Sequence, residues 1–411
     1  MLTLPSAEGL AQDAGGIRMR KKKDRFLFMT YNLLAQALVR RDMFPHASQK
    51  ALRWKFRKQN LLQEFLAYAP DLACLQEVDF WEEVYLPALT KAGYETSYYK
   101  NEKKKHGCAI IWRKTRFEKM DQMTLEYDDI GQPTFTTGNI GLMVALQPLQ
   151  QKASENPDPN ADMVLPEEDE GKDDEKEAAQ DYEALVPGGI LVATTHLFWR
   201  PDGSYERLRQ ASILLQKIDE WNKHLNFTVL LGGAEKASPE TTIADSTKFG
   251  DSEDPKIKNL AAMASSASGE DAPVHAPLEV FTPAKDLLAA VEAYARCISI
   301  YGQYETLTKD HPAEVNTKVV EASDEIESTA TAAPVEHTHG EPTFTNFATW
   351  FKDTLDYVYL YDQPIPEAGA RLVPLRLLEI PDKSFLGHGL PDENFSSDHL
   401  CLMVEFALLA R

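Results

Sequence analysis

Eight apolar runs of strand length, most of them ending beside a polar residue, constrain this chain more than any other feature. They are Phe26 to Tyr31, Leu72 to Leu75, Cys108 to Trp112, Gly141 to Leu146, Ile190 to Thr195, Thr228 to Leu231, Leu355 to Leu360 and Leu400 to Ala407. Helical periodicity falls between some of them. Gln49 to Ala67 sets Leu52, Phe56, Leu61, Leu62, Phe65 and Leu66 on one broad face, and Tyr205 to Trp221 does the same with Leu208, Ile213, Leu214 and Ile218. Strands and helices alternate too irregularly for a βαβ repeat, so the pattern predicts stacked sheets with helices outside them. In 411 residues, 43% of them hydrophobic, there is ample material for one large two-sheet domain. The ordered signals run from about Arg25 to Leu409.

No run of about 18 apolar residues is present, so no membrane-spanning helix is expected. Cys74, Cys108, Cys297 and Cys401 are scattered, three of them in apolar runs, and are read as reduced thiols of an intracellular protein, with the cytoplasm as the expected place. Residues 1–24 read as a disordered arm; its Arg18, Arg20, Lys21, Lys22 and Lys23 also fit a nuclear or mitochondrial address. The formal charge of −21 is uneven: residues 151–185 hold thirteen Asp or Glu against three Lys, −10 in one segment. So dense a like-charged run reads as a disordered acidic insertion, a candidate contact surface for protein partners. Two further low-complexity insertions are expected at about 240–284 and 312–339.

Asn32, Glu77, His196, Asp356, Asp398 and His399 each lie at or just past the end of an apolar run, where a rigid sheet presents side chains on one face. Carboxylates such as Glu77 suit Mg²⁺, which keeps several waters for a phosphate to displace. His196 and His399 can donate to phosphate oxygens, and Asp356 can fix a histidine tautomer and stabilise its cation. Each piece alone has an ordinary structural explanation; the ordered set across more than 360 residues points to phosphodiester hydrolysis.

Thr30-Tyr-Asn-Leu-Leu-Ala-Gln36, Gly107-Cys-Ala-Ile-Ile111, His196-Leu-Phe-Trp199 and Glu341-Pro-Thr-Phe-Thr-Asn346 leading into Thr354-Leu-Asp-Tyr357 carry a resemblance. The chain resembles the endonuclease/exonuclease/phosphatase superfamily, within it the branch of carbon-catabolite-repressor-like proteins, nocturnin and Angel, and most specifically the Ngl-type RNA exonucleases. The resemblance implies an α+β fold of the DNase I-like kind, a four-layer αββα sandwich, and Mg²⁺-dependent removal of nucleotides from an RNA 3′ end, poly(A) being one candidate. It implies Glu77 as metal ligand with Asp398 near the metal, and Asn32 as the neighbour that orients Glu77. His196 would donate to the scissile phosphate, and Asp356 with His399 would form a charge-steadying dyad. Pro201 and Phe351 match the residues that hold the terminal base in relatives, and Arg200 beside His196 suits a phosphate. Arg207, Arg209 and the run Lys103, Lys104, Lys105, His106 are further phosphate candidates. A monomer is expected. No leucine-rich repeat region precedes the domain, so docking to the large deadenylase assembly through one is not expected.

One motif departs from the family. Relatives run from the strand at Thr228 into Gly-Asp-x-Asn; this chain reads Gly233-Ala234-Glu235-Lys236. Ala234 stands where the resemblance implies the aspartate that orients or deprotonates the attacking water, and Lys236 where it implies an asparagine. The exchange adds +2, the charge of one Mg²⁺. Lys236 in place of the metal, or Lys236 facing solvent, are both compatible with it. Three functional readings follow: a nuclease using another water-activating group, Asp251 or Glu253 among the candidates, a pseudonuclease that binds RNA or protein, or, as the resemblance to nocturnin-like relatives implies, a phosphatase acting on a small nucleotide, since the fold does not fix the substrate.

Overall fold

The computed structural model describes residues 1–3, 25–149, 188–200, 202–234, 281–293, 297–310, 340–361 and 371–409. In chain order the strands are β1 (Leu2–Thr3), β2 (Arg25–Asn32), β3 (Leu72–Val78), β4 (Tyr94–Tyr99), β5 (Gly107–Arg113), β6 (Phe117–Glu126), β7 (Ile140–Pro148), β8 (Ile190–His196), β9 (Thr228–Ala234), β10 (Cys297–Ser299), β11 (Asn346–Phe347), β12 (Lys352–Asp353), β13 (Asp356–Tyr361), β14 (Arg371–Leu377) and β15 (Leu402–Leu409). The helices are α1 (Trp54–Tyr68), α2 (Leu86–Lys91), α3 (Ser204–Leu225), α4 (Ala284–Ala293), α5 (Tyr304–Asp310) and α6 (Lys383–Leu386).

Two mixed sheets stack face to face. The first has the order β1-β14-β15-β2-β3-β5-β4 and the second β10-β13-β9-β8-β7-β6. Within each, one adjacent pair is parallel, β2 with β3 and β8 with β9, and the other pairs are antiparallel. Period-two alternation sorts the side chains. Phe26, Phe28, Leu72, Cys74, Val192, Leu230, Val358, Leu402 and Val404 fill the space between the sheets. Met29, Tyr31, Ala73 and Leu75 face outward with α1, and Leu191, Ala193, Val229 and Leu231 face outward with α3. The expected αββα layering is present. All eight expected strands form, each extended at one or both ends except the last two, which begin one and two residues later.

Several boundaries differ from the sequence reading. The first residues are not disordered arm: Leu2 and Thr3 pair with Leu377 and Arg376 at the edge of the first sheet, and Leu2 is buried. An exposed strand edge offers unpaired amides, and this short apolar segment covers them. Residues 4–24 lie outside the described residues, as do the acidic segment 151–185 and the expected insertion 312–339. The other insertion ends earlier than expected. Phe281 packs edge-on to Tyr205 at 6.2 Å, and the Tyr205 hydroxyl donates to the Thr282 carbonyl at 2.7 Å, so 281–284 belong to the fold. Cys74, Cys108 and Cys401 are buried, Cys297 is half-buried, and all four are free thiols. Among the described residues no helix is long and apolar enough to cross a membrane.

Candidate active site

The inward-facing alternation does most of the work of assembling the site. Counting by twos from the intersheet core, Asn32 at the end of β2, His196 at the end of β8 and Asp356 at the start of β13 all fall on the inner face. A polar layer separates them from the apolar core: the fully buried Gln76 amide donates to Thr30 Oγ1 and Thr194 Oγ1, each at 3.0 Å, and so ties the two sheets together. The sheets approach closely here. A Cβ on Gly232 would lie 2.9 Å from Phe28 and 3.1 Å from Thr30.

Glu77 is the exception to the alternation. An undisturbed β3 would turn its side chain outward beside Leu75. Instead the ladder with β5 shifts register between Leu75 and Val78, and Glu77 takes a left-handed backbone with φ 52°. A bulge re-aims a side chain, and a left-handed non-glycine residue costs about 1–2 kcal/mol. The surroundings hold it there: Asn32 Nδ2 donates to Glu77 Oε1 at 3.0 Å and the Ala35 amide to Oε2 at 3.2 Å. Asn32 is itself fixed, since its Oδ1 accepts from the Leu34 amide at 2.9 Å.

His196 Nε2 lies 3.4 Å from Glu77 Oε1. Burial alone would raise the Glu77 carboxyl, but His196, His106, the Asn32 amide and His399 hold it at about 2. Burial pushes His196 below its ordinary value against the pull of Glu77. Opposite them, His399 Nδ1 donates to Asp356 Oδ2 at 2.7 Å. Burial opposes the imidazolium, yet the Asp356 carboxylate, with help from Asp398 and Glu77, raises His399 to about 9. Asp398 is pushed up by burial, with His399 opposing and Glu77 adding.

The expected six therefore converge. Of the remaining candidates, Phe351 sits at the tip of the β11–β12 hairpin, whose base is bridged from Asn346 to His399. Arg200 is engaged by Asp202 through two hydrogen bonds of 3.0 and 2.8 Å. The Ala234 backbone lies in register beside His196 on one side and Asp356 on the other, so the position of the expected aspartate is inside the site. Pro201 and Lys236 lie outside the described residues, as do Asp251 and Glu253. Arg207 and Arg209 are not phosphate contacts. Both are buried, Arg207 donating to the Phe198 carbonyl and Ser204, and Arg209 to Glu206 and the Ile130 and Tyr127 carbonyls.

Four supporting residues are not marked by the sequence pattern, or only weakly. Thr345 Oγ1 donates to Asp356 Oδ2 at 2.7 Å while accepting from the Leu355 and Asp356 amides, which fixes the carboxylate. Ser397 Oγ donates to the Asn32 carbonyl at 2.7 Å and accepts from the His399 amide, locking the Ser-Asp-His turn to β2. Ser397 stands beside Asp398 in the sequence, and Thr345 lies in the Glu341–Asn346 run that precedes the Asp356 motif. His106, grouped in sequence with the lysine run, stands 6.5 Å from His196 between ring centres, and burial lowers it to about 4. Arg57 is fully buried in α1 and donates to the carbonyls of Ser396, Leu33 and Leu34 and to Gln36 Oε1, joining the loops on both sides of the site. Helix α1 starts at Trp54 and buries Arg57, Leu61 and Phe65 at a spacing of four. A charged residue on the apolar face is invisible to a hydrophobic pattern.

A divalent cation fits these residues. Asp356 Oδ1, Asp398 Oδ1 and Asn346 Oδ1 are buried oxygens without a hydrogen-bond partner, and Glu77 is ionised throughout the ordinary pH range. Among the described residues no group of three or more His, Cys, Asp or Glu side chains is placed to hold a metal ion by itself. Mg²⁺ does not need one, since it keeps several waters and binds through one or two carboxylates.

The structure thus presents a two-sheet sandwich with a carboxylate, an orienting amide and two histidines gathered at one end of its sheets. The endonuclease/exonuclease/phosphatase family model matches residues 29–233, and the chain belongs to this family. Nucleases of the family generally depend on a divalent metal. RNA exonuclease NGL2 of Saccharomyces cerevisiae is 40% identical over 212 residues, 49% of this chain, and the match spans only 36% of that protein's length. A probable RNA exonuclease of Schizosaccharomyces pombe is 29% identical over 429 residues, covering 93% of this chain and 76% of its own. Among solved structures, ANGEL2, a 2′,3′-cyclic phosphatase in complex with adenosine-2′,3′-vanadate, matches with a TM-score of 0.54 and 21% identity, covering 93% of this chain and 96% of its own. The human Nocturnin catalytic domain matches at 0.51 and 18%, covering 94% and 95%. At these identities the structural likeness is one of fold.

Proposed function

We propose that this chain is an RNA 3′-end phosphodiesterase of the Ngl-type exonuclease lineage, Mg²⁺-dependent, whose water-activating step is weakened at Ala234. The observation that carries the reading is that both pairings join the two sheets at the same end, Asn32 and Glu77 of the first sheet meeting His196 of the second, and Asp356 of the second sheet meeting His399. Glu77 and Asp398 would hold Mg²⁺, which when bound supplies a Lewis acid for the phosphate and leaving oxygens.

The protein's own groups divide the remaining work. His399, held as an imidazolium by Asp356, faces the charge that develops on the phosphoryl oxygens. His196, whose Nε2 lies 3.4 Å from Glu77 Oε1, would offer its ring N–H to the phosphate. Asn32 and the Ala35 amide fix the Glu77 carboxylate and remove its freedom to swing. The step without a provider among the described residues is removal of a proton from water at position 234, and a general base is worth ~10²–10⁴-fold. Slow trimming is the expectation.

Ala234 also favours a second reading, a pseudonuclease that retains RNA binding. The two are separated by incubating a 5′-labelled oligoadenylate with the full chain, with and without Mg²⁺. Metal-dependent 3′ shortening that Glu77→Ala abolishes, a loss of about 10³-fold, supports the hydrolase. Retained binding without any shortening selects the pseudonuclease.

A further inference from the structure

The chain has six tryptophans, all among the described residues. Trp81 and Trp112 are buried, and the half-buried Trp54 and Trp221 pack on Phe80 and on the outer face of the second sheet. Only Trp199 and Trp350 are open to solvent, at 60% and 59%. An indole is the largest apolar side chain, and leaving it in water forgoes the burial the other four obtain.

Both exposed indoles stand on loops that leave the active site. Trp199 is three residues beyond His196, the last residue of β8, so its Cα is within about 11 Å of that histidine's. Trp350 is at the tip of the β11–β12 hairpin, four residues from Asn346 and thus within about 14 Å of it. The hairpin base is fastened to the site: Asn346 bridges His399, and the Phe347 amide donates to the Asp398 carbonyl at 2.8 Å. Trp350 already lies against Phe351, with ring centres 5.8 Å apart and planes tilted by 41°.

Among the described residues, neither indole continues into an exposed apolar run along its loop. Leu197 and Phe198 before Trp199, and Phe347 and Ala348 before Trp350, are buried, while Arg200 follows the first and Lys352 lies two residues beyond the second. A protein interface would bring a contiguous apolar core. Exposed aromatic faces on loops that also carry cations suit flat bases joined by phosphates, because every base has a π-face and stacking tolerates any sequence.

We infer that Trp199 and Trp350 are stacking subsites for unpaired bases of single-stranded RNA, one on each loop bordering the scissile position. The inference rests on the RNA-directed reading above and adds how the strand is held. A substrate reaching both loops gains affinity over a dinucleotide without gaining base specificity.

The test is anisotropy of a 5′-labelled ten-residue oligoadenylate in EDTA, where no turnover occurs, with thermal midpoints as a check on folding. Trp199→Ala and Trp350→Ala should each weaken binding about fivefold or more, and the double variant more still. Phe at both positions should restore most of the affinity. A dinucleotide and an abasic ten-mer should bind the double Ala variant and the unmodified chain equally. Unchanged ten-mer affinity in the double Ala variant overturns the proposal. An equal loss on the abasic strand, or no ten-mer binding by the unmodified chain, also overturns it. Affinity losses without cleavage by the unmodified chain would sink the hydrolytic reading and leave the stacking subsites standing. Cleavage with unchanged affinity would do the reverse.

Discussion

On the wall built from the first sheet, Asn32 uses both ends of its amide, Glu77 accepts at both oxygens, and Arg57 ties the Leu33–Leu34 backbone to that of Ser396. On the wall built from the second sheet, His196, residue 234 and Asp356 stand side by side, and the middle one is an alanine. The first wall is fully braced for handling charge. The second keeps its outer members and lacks a carboxylate at its centre. On the reading proposed above, the orienting and charge-stabilising groups are in place on both sides of position 234 although no carboxylate stands there.

The largest effect that would break this comparison is expected at the dyad. Asp356→Asn should slow single-turnover trimming by ~10²–10³-fold, because the imidazolium loses the carboxylate that sustains it. The pH profile sharpens the point. The charged form of His399 is present below about 9, so the rate should fall as pH rises through about 9, and in Asp356→Asn that fall should move toward the ordinary histidine value of about 6.5. Stability carries the same sign: a folded pKa above the unfolded one contributes fully below about 6.5 and is lost between there and 9. An unmoved profile would remove His399 from its role.

Next comes the brace on the first wall. Arg57→Met leaves the Ser396, Leu33 and Leu34 carbonyls and Gln36 Oε1 without their donor, and should cost roughly 2–4 kcal/mol in urea unfolding. A loss under about 1 kcal/mol would mean the loops are held by other contacts.

The smallest effect is expected beneath that wall, where Tyr31 donates to Glu64 Oε2 at 2.9 Å and burial raises Glu64 to about 7. An acid with a raised folded pKa binds its proton more tightly in the native state, so stability falls as pH rises from about 4.5 to 7. Glu64→Gln keeps an acceptor for Tyr31 and should remove that slope, gaining on the order of 1 kcal/mol at pH 8. A slope unchanged by the substitution would contradict the assignment.

Much of this is legible in the residues, for a physical reason. Alternation fixes which strand residues face the second sheet, so the apolar runs alone place Asn32, His196 and Asp356 at inward-facing strand ends. Glu77 breaks the alternation through a bulge that hydrophobic pattern cannot foresee, and its motif alone marks it. Strands β4, β6 and β14 escape the pattern because they carry tyrosines, charges or a proline in place of an apolar run. Arg57, Arg207 and Arg209 mislead in the same way: a buried arginine bonded to carbonyls reads in sequence as a surface cation. Trp199 lies within the His196-Leu-Phe-Trp motif and Trp350 next to Phe351, yet exposure is a property only the fold reveals.

The central claim, that the charge-handling wall is intact and the deficit sits at position 234, is tested most directly by restoring the carboxylate. Single-turnover trimming of labelled oligoadenylate in Mg²⁺ would be compared between the chain as it stands, Ala234→Asp, and Ala234→Asp with Lys236→Asn. The account predicts a gain of ~10²–10⁴-fold on repair, with RNA affinity changed little. Equal rates before and after repair, at equal affinity, would contradict it.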